Sequence, residues 1–311
     1  MDLDHAASPG PIVVGVDRSE RSRDALALAR TLARATGAPL ILVAVYPRDR
    51  RSASVEPDAF MEALVEDALS TLEWAVRPLS GVRAELRAVP CSSISRGLQQ
   101  VAADEGALAI VVGPSHRGSV GRIVPGSVGM RLLRGAPCPV AVAPRGHWSH
   151  GDAPIRRIGV GYAGTPEGEE ALHAALGLAA RTGAAVRALG VVEPVVATGA
   201  VVLGLGYVER EEKTRSAFED SLRRVLDGMA APVEVAGDVV DGYADDELAR
   251  LSDDVDLLVC GSRGLSPLGA VMLGSVSAGV LRKARCPVLV IPRGARDGFA
   301  ALRAPHTQAV A

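Results

Sequence analysis

The 311-residue chain sets 34 basic against 36 acidic side chains, and its formal net charge of −2 comes without any block of like charge. Neither nucleic acid nor an anionic membrane is therefore an expected partner. Hydrophobic residues make up 48 % of the chain but aromatics only 3 %, a balance that can fill two cores at roughly 150 residues per domain and that suits helices packed on buried strands better than an aromatic binding sheet.

From the N-terminus, MDLDHAASPG is acidic where a secretory signal would be basic and then apolar. No apolar run reaches the ~18 residues that span a bilayer. A cytoplasmic protein is expected. The stretch PIVVGVDRSERSRDALALARTLARATGAPLILVAV (11–45) opens on a β-branched run, turns through polar residues into an alanine-rich helix, and closes with Thr-Gly and a second apolar run. Ser19 is placed to cap the helix and Gly37 to stop it. Strands are expected near 11–16, 39–45, 83–89, 108–113 and 139–144, with helices near 19–35, 57–78, 94–105 and 126–135. The polar RGHWSHGDAP (145–154) breaks both periodicities and reads as a linker.

The opening pattern then recurs. RIGVGYAGTPEGEEALHAALGLAARTGAAVRALGV (157–191) sets Thr165 and Gly183 at the spacing of Ser19 and Gly37, with Pro166 at the first helical position. Further strands are expected near 157–162, 185–191, 233–240, 256–261 and 287–292. The closing strands repeat as well, APCPVAVAPRG (136–146) against ARCPVLVIPRG (284–294). Two units follow, 10–146 and 155–294, joined by a linker at 147–154 and followed by a tail at 295–311 that reads as poorly ordered. In each, strands alternate with helices, which demands parallel pairing and right-handed crossovers. The fold class is α/β: two tandem doubly wound Rossmann-like domains, each with a five-stranded parallel sheet flanked by helices. The two closing strands are plausible contacts between the domains, since an edge strand seeks pairing.

Ligands of such sheets lie beyond the carboxyl ends of the strands, where two glycine-rich loops fall. GSRGLSPLGAVMLGS (261–275) follows the strand DLLVCG and precedes the helix GSVSAGVLRKA. Gly261 and Gly264 permit close backbone approach, while Gly274 and Ser275 begin a helix whose free N–H groups suit phosphate. Ser275 is placed both to cap that helix and to donate its hydroxyl. The matching GPSHRGSVGRIVPGS (113–127) keeps Gly113, Gly126 and Ser127 but has His116 in place of the middle glycine, and Pro114 removes a backbone donor. His116 and Arg117 can supply side-chain donors instead. Neither loop is a Walker P-loop, for no GK[ST] follows, nor the GxGxxG of dehydrogenases.

The spacing Gly261, Gly264, Gly274, Ser275, the opening strand VVGVDRSERSRDAL with Asp17, and the closing CPVAVAPR and CPVLVIPR strands resemble the universal stress protein family over nearly the whole chain. The resemblance implies a regulatory adenine-nucleotide binder, with ATP as ligand and Mg2+ as an optional companion of its phosphates. It places Asp17, with Gly15 and Val16, at the ribose and base, Val45 in the base pocket, and the loop residues with Val128, or with Val276 and Ser277, at the phosphates. In the second copy it aligns Gly161, Ala163 and Val191 with Gly15, Asp17 and Val45. Ala163 cannot accept a ribose hydroxyl. The first copy thus keeps the acid and alters the loop, and the second keeps the loop and loses the acid. The resemblance also implies an intramolecular pseudo-dimer, with further pairing into a homo-oligomer open.

Other features carry bland readings. Cys91, Cys138, Cys260 and Cys286 form no CxxC pair and read as small packed thiols. His5, His147, His150 and His306 fall in tails or linker, and His173 reads as a surface or satisfied histidine. The acids of DDEL (245–248) read as a helix start, and VVEPVVATGAVVLGLGY (191–207) as a pocket cover, a partner contact or a packed loop. No nucleophile–base–acid set is evident, so no enzyme is expected. A nucleotide-independent interaction module and a slow ATPase stand as alternatives.

Overall fold

The computed structural model describes residues 9–48, 58–115, 123, 126–151, 153–193, 207–227, 233–262 and 274–293. Its first half runs β1 (Ile12–Gly15), α1 (Glu20–Thr36), β2 (Leu40–Tyr46), α2 (Asp58–Val76), β3 (Ala84–Pro90), α3 (Ile94–Asp104), β4 (Ala109–Val112), α4 (Ser127–Leu132) and β5 (Val140–Val142). A short 3-10 turn, His147–His150, leads into the second half. There follow β6 (Arg157–Tyr162), α5 (Pro166–Thr182), β7 (Ala185–Val192), α6 (Tyr207–Asp227), β8 (Val235–Asp241), α7 (Ala244–Leu251), β9 (Leu257–Gly261), α8 (Ser275–Lys283) and β10 (Val288–Ile291). Both halves show the strand–helix alternation expected from the repeat, and α4 ends earlier than the periodicity suggested.

The helix stops behave as expected. Gly37 and Gly183 are left-handed, at φ 73° and 71°, and each returns its N–H to the helix, to the carbonyls of Ala33 and Ala179 at 2.8 Å. The starts differ. Thr165 caps α5 by accepting from the Gly168 amide at 3.2 Å, whereas Ser19 occupies the cap position of α1 without a side-chain cap bond. Its hydroxyl turns back to Asp17 instead, as described below.

All the described strands join one 10-stranded sheet in the order β3-β2-β1-β4-β5-β10-β9-β6-β7-β8. Pairing is parallel within each half, and the expected contact of closing strands is the antiparallel pair β5–β10. Val142 faces Val288, Ala141 faces Leu289 and Val140 faces Val290. Because the repeat equates Val140–Val142 with Val288–Val290, this register is self-complementary about the Ala141–Leu289 pair, as an isologous two-fold interface requires.

Side chains alternate across the sheet with period two and feed two cores, one on each face. One face carries Val14, Leu42, Val160 and Leu289 under Leu28 and Leu32 of α1, Leu72 of α2 and Leu172 of α5. The other carries Val13, Val43, Val140 and Val288 under Leu98 of α3, Leu132 of α4, Leu248 of α7 and Leu281 of α8. The two cores are therefore shared by the halves rather than allotted one to each. Arg181 of α5 also donates to the carbonyl of Thr36, at the end of α1, at 2.6 Å. The outer strands β3 and β8 are more exposed and carry ion pairs, Arg87 with Glu85 and Glu105 at 2.6 Å and Arg187 with Asp238 at 3.0 Å, a pattern that discourages edge-to-edge association.

The linker is docked on α1. Asp24, buried in that helix, accepts from the amides of Gly146 at 3.1 Å and Trp148 at 3.0 Å. Burial pushes the Asp24 carboxyl up, with the amides of Trp148, Gly146 and His147 pulling the other way. Burial, assisted by His150, pushes His147 down to about 4, so it is neutral at neutral pH.

The seam makes a stability prediction. Leu289 is 3 % exposed at the centre of the β5–β10 register, so Leu289→Ala is expected to cost about 2–5 kcal/mol in urea denaturation. A cost near that of an exposed leucine would show that the halves do not rely on the seam.

Candidate functional site

Strand order reverses between β1 and β4, and again between β6 and β9. At such a switch point neighbouring crossovers leave to opposite faces and open a crevice at the carboxyl ends. Val14 pairs Val111, so Gly15, Val16 and Asp17 leave the sheet beside Gly113. In the second half Gly161 pairs Cys260, which sets Ala163 beside the start of the Gly261 loop. The topology thus brings each expected nucleoside residue to its own glycine loop.

Asp17 organises the first cleft. Its Oδ1 accepts from the Ser19 amide at 3.0 Å, from the Ser22 hydroxyl at 2.7 Å and from the Ser19 hydroxyl. The Ser22 hydroxyl oxygen in turn accepts from the Asp17 amide at 2.7 Å. Oδ2 receives one contact, from Arg21 Nη2 at 3.2 Å. Partial burial pushes the carboxyl up, but the Ser19 and Ser22 hydrogen bonds and the Arg21 charge outweigh it and hold Asp17 below the ordinary carboxylate value. The side chain remains 58 % exposed. It is ionised, held in place and open to a ligand on its Oδ2 side.

The second cleft departs here more than Ala163 alone foretold. By the repeat, Arg21 corresponds to Glu167, so an acid stands where the first half has a cation. Glu167 pairs with Arg293 Nε at 3.3 Å, and the Arg293 amide donates to the Ser262 hydroxyl at 3.2 Å. Tyr162 replaces Val16 and is buried; its ring meets Phe218 edge-on at 5.6 Å, and its hydroxyl lies 3.0 Å from that of Ser221. The Arg21–Glu167 reversal is visible in the aligned helices as a change of charge at equivalent positions.

The first and last residues of the glycine loops have distinct roles. A Cβ on Gly113 would lie 2.2 Å from the Arg21 carbonyl oxygen, and one on Gly261 would lie 2.8 Å from that of Glu167. Both glycines let a strand end abut the first turn of the crossing helix, so packing alone accounts for them. Gly126 and Gly274 are the cap residues of α4 and α8, and Ser127 and Ser275 are the first helical residues, exposed and without a cap bond. The expectation that Ser275 caps its helix is thereby corrected. In a helix the amides of Ser275, Val276 and Ser277, like those of Ser127, Val128 and Gly129, have no acceptor one turn back. Ser277 is buried and its hydroxyl donates to the Gly261 carbonyl at 2.8 Å, closing the loop base. Gly264, His116 and Arg117 lie outside the described residues, as does most of the 191–207 segment.

Val45 and Val191 are partly buried on the α3 and α7 side of the sheet, and a Cβ on Gly97 of α3 would lie 3.0 Å from Val45. Cys138, Cys260 and Cys286 are buried, and burial pushes each thiol up to about 12; they are packing residues and not nucleophiles. The acids of DDEL open α7, and Asp245 and Asp246 both bind Lys283 of α8, at 2.6 and 2.7 Å. No helix among the described residues is long and apolar enough to cross a membrane.

Comparison with known proteins gives the same answer twice along the chain. The model of the universal stress protein family matches residues 10–144 and again 154–292. Universal stress protein Rv2319c of Mycobacterium tuberculosis is 27 % identical over 298 residues, covering 90 % of this chain and 99 % of its own. Universal stress protein Rv2005c of the same organism is 36 % identical over 187 residues, 58 % of this chain and 60 % of that one. Among solved structures, a universal stress protein from Archaeoglobus fulgidus superposes with a TM-score of 0.71 at 21 % identity, covering 91 % of this chain and 98 % of that chain. With the paired family matches added to the repeated fold and its two switch-point clefts, the chain belongs to the universal stress protein family as a tandem member.

Proposed function

We propose that this protein is a regulatory receptor for adenine nucleotide, with ATP as its ligand and the first-half cleft as the principal site. The observation that carries the reading is Asp17, ionised and held at the carboxyl end of β1 beside Arg21. Its Oδ2, with one contact already made, accepts a ribose hydroxyl. Val16 and Val45 flank the base. The phosphates run toward Gly126, where the amides of Ser127 and Val128 receive them, and His116 and Arg117 add side-chain donors.

The second cleft is the weaker site in this reading. Gly261, Gly264, Gly274 and Ser275 retain the family spacing for phosphate, but Ala163 offers no ribose acceptor, and Glu167, paired with Arg293, stands where the first half has the Arg21 cation. Any Mg2+ arrives with the phosphates, since no group of three or more metal-ligating side chains is assembled among the described residues. The described cysteines and acids account for their own surroundings without a hydrolytic role, which favours binding over turnover.

Calorimetric titration with ATP and adenosine tests the assignment. Removing a hydrogen bond to a charged group costs about 1.5–3 kcal/mol, so Asp17→Ala should weaken both ligands about tenfold or more. Asp17→Asn keeps an acceptor for the Ser19 amide and should fall between. Unchanged affinity in Asp17→Ala, with loss in a Ser275→Glu variant, would move the site to the second half. Failure of the unmodified protein to bind either ligand would reject the reading outright.

The pH dependence follows from the same carboxylate. Acceptance requires the ionised form, and its folded value lies below the ordinary carboxylate value. Adenosine affinity should therefore stay level as pH falls from 7 to about 5 and decline only below the ordinary value near ~3.9. A decline already complete by about pH 5 would mean that another group accepts the ribose.

A further inference from the structure

Both tryptophans of the chain lie at one place outside the nucleotide clefts. Trp74 comes from the last turn of α2 and Trp148 from the docked linker, and they bracket the Arg23 guanidinium, which sits 5.9 Å from one ring centroid and 5.8 Å from the other. Each distance is within the ~6 Å reach of a cation–π contact. Around them is a cavity of about 570 Å³, lined on α1 by Arg23, Leu26, Ala27 and Arg30 and on the α2 side by Trp74, Arg77 and Leu79. That size lies within the roughly 300–1,000 Å³ of small-molecule sites.

The charge on this cavity is one-sided. Arg23, Arg30 and Arg77 line it, and no Asp or Glu is among its described lining residues. Among the described residues no carboxylate pairs with Arg77, and Arg23 has only the two rings. Arg30 Nη1 donates to the Pro78 carbonyl at 2.7 Å, which holds its guanidinium against the end of α2. Trp148 is 46 % exposed yet placed by Asp24, which accepts its amide at 3.0 Å. An aromatic face with an anchored backbone thus stands beside two guanidiniums, Arg23 and Arg77, for which the described residues supply no carboxylate.

The fold does not require this arrangement. By the repeat, Arg23, Ala27 and Arg30 correspond to Glu169, His173 and Leu176, so the second half keeps the same helix on the same face of the sheet with none of the arginines. Nor does the cavity share a residue with the Asp17 cleft.

We propose that the cavity between α1, the end of α2 and the linker binds a small aromatic anion, an aryl ring bearing a carboxylate or phosphate. The ring lies on the Trp148 face over Leu26 and Leu79, and the anion is received by Arg77 with Arg23. The apolar floor and indole select a ring, and the guanidiniums select the charge.

The test uses the two indole N–H signals in amide correlation spectra of the full chain, together with tryptophan emission, during titration with benzoate, phenylacetate and phenyl phosphate. At least one should shift both indole signals saturably, while benzamide and inorganic phosphate, lacking the charge and the ring respectively, should do so far more weakly. Arg77→Gln, an exposed substitution, should weaken the response about tenfold or more if a charge-assisted bond is lost. Trp148→Ala should abolish it at the remaining Trp74 signal. Preference for phenylacetate over phenyl phosphate identifies a carboxylate ligand, and the reverse a phosphate; either supports the proposal. An equal response to benzamide, an unchanged response in Arg77→Gln, or no saturable shift with any of the three aryl anions overturns it. ATP affinity measured on Arg77→Gln should equal that of the unmodified protein, so this result and the fate of the nucleotide site can be read separately.

Discussion

Three residue pairs, Val142–Val288, Ala141–Leu289 and Val140–Val290, decide the architecture. Among the described strands they are the one change of direction, and they turn two five-stranded units into one continuous sheet. A sheet extended in this way cannot keep separate hydrophobic centres for its halves, since each face is one surface. The apolar helices of both halves therefore cover common cores, and α1 and α5 meet across the seam through Arg181 and Thr36. An edge strand left unpaired would have offered a template to other chains. Here each closing strand covers the other, and the remaining edges, β3 and β8, carry charge.

Since the seam is built from strands on the far side of β4 and β9, it leaves both switch points open and equivalent in backbone. What distinguishes them is side-chain chemistry at a few positions. In the first half a carboxylate performs two tasks: Oδ1 gathers the Ser19 and Ser22 donors that shape the β1–α1 turn, and Oδ2 remains accessible beside Arg21. In the second half Thr165 caps the helix directly, and the turn forms with Ala163 in place of the acid. The same comparison shows that the two crossing helices start by different devices, Asp17 in one and Thr165 in the other.

The fold was legible because its signals are local and repeated. Gly37 and Gly183 stop their helices as the Thr-Gly pattern requires, and continuous apolar runs such as LAIVVG and DLLVCG became buried parallel strands. The pairing of the closing strands was accessible for the same reason. Side-chain roles were less legible. Ser19 has the right residue type for a cap, but three donors converge on Asp17 and turn its hydroxyl away, a competition that residue type does not reveal. Ser275 follows a glycine that takes the cap position itself. Gly113 and Gly261 had been read for phosphate approach, yet the carbonyls of Arg21 and Glu167 already exclude a side chain there. The linker was legible as a break in periodicity but not as a docked segment, because the partner of its amides, Asp24, lies 122 residues earlier along the chain from Gly146.

A tandem chain also loosens a restriction that a symmetric dimer cannot escape. In a homodimer any substitution at one cleft appears at both, so a change that improves one use of the site is imposed on its copy. Covalent linkage separates the two. The seam must stay self-complementary, and it does, with valines at equivalent places on either side of the Ala141–Leu289 pair. The clefts and the outer helix faces carry no such obligation. Arg21 against Glu167, Val16 against Tyr162 and Arg23 against Glu169 are all differences on equivalent backbone, away from the seam. Arg21 against Glu167 and Arg23 against Glu169 change local charge outside the shared cores, while Tyr162 fills the core that Val16 only borders. Specialisation of one half is then the expected physical outcome of fusing two copies through a self-complementary strand pair, and the arginine–tryptophan cavity, present in one half alone, is the kind of feature that this freedom permits.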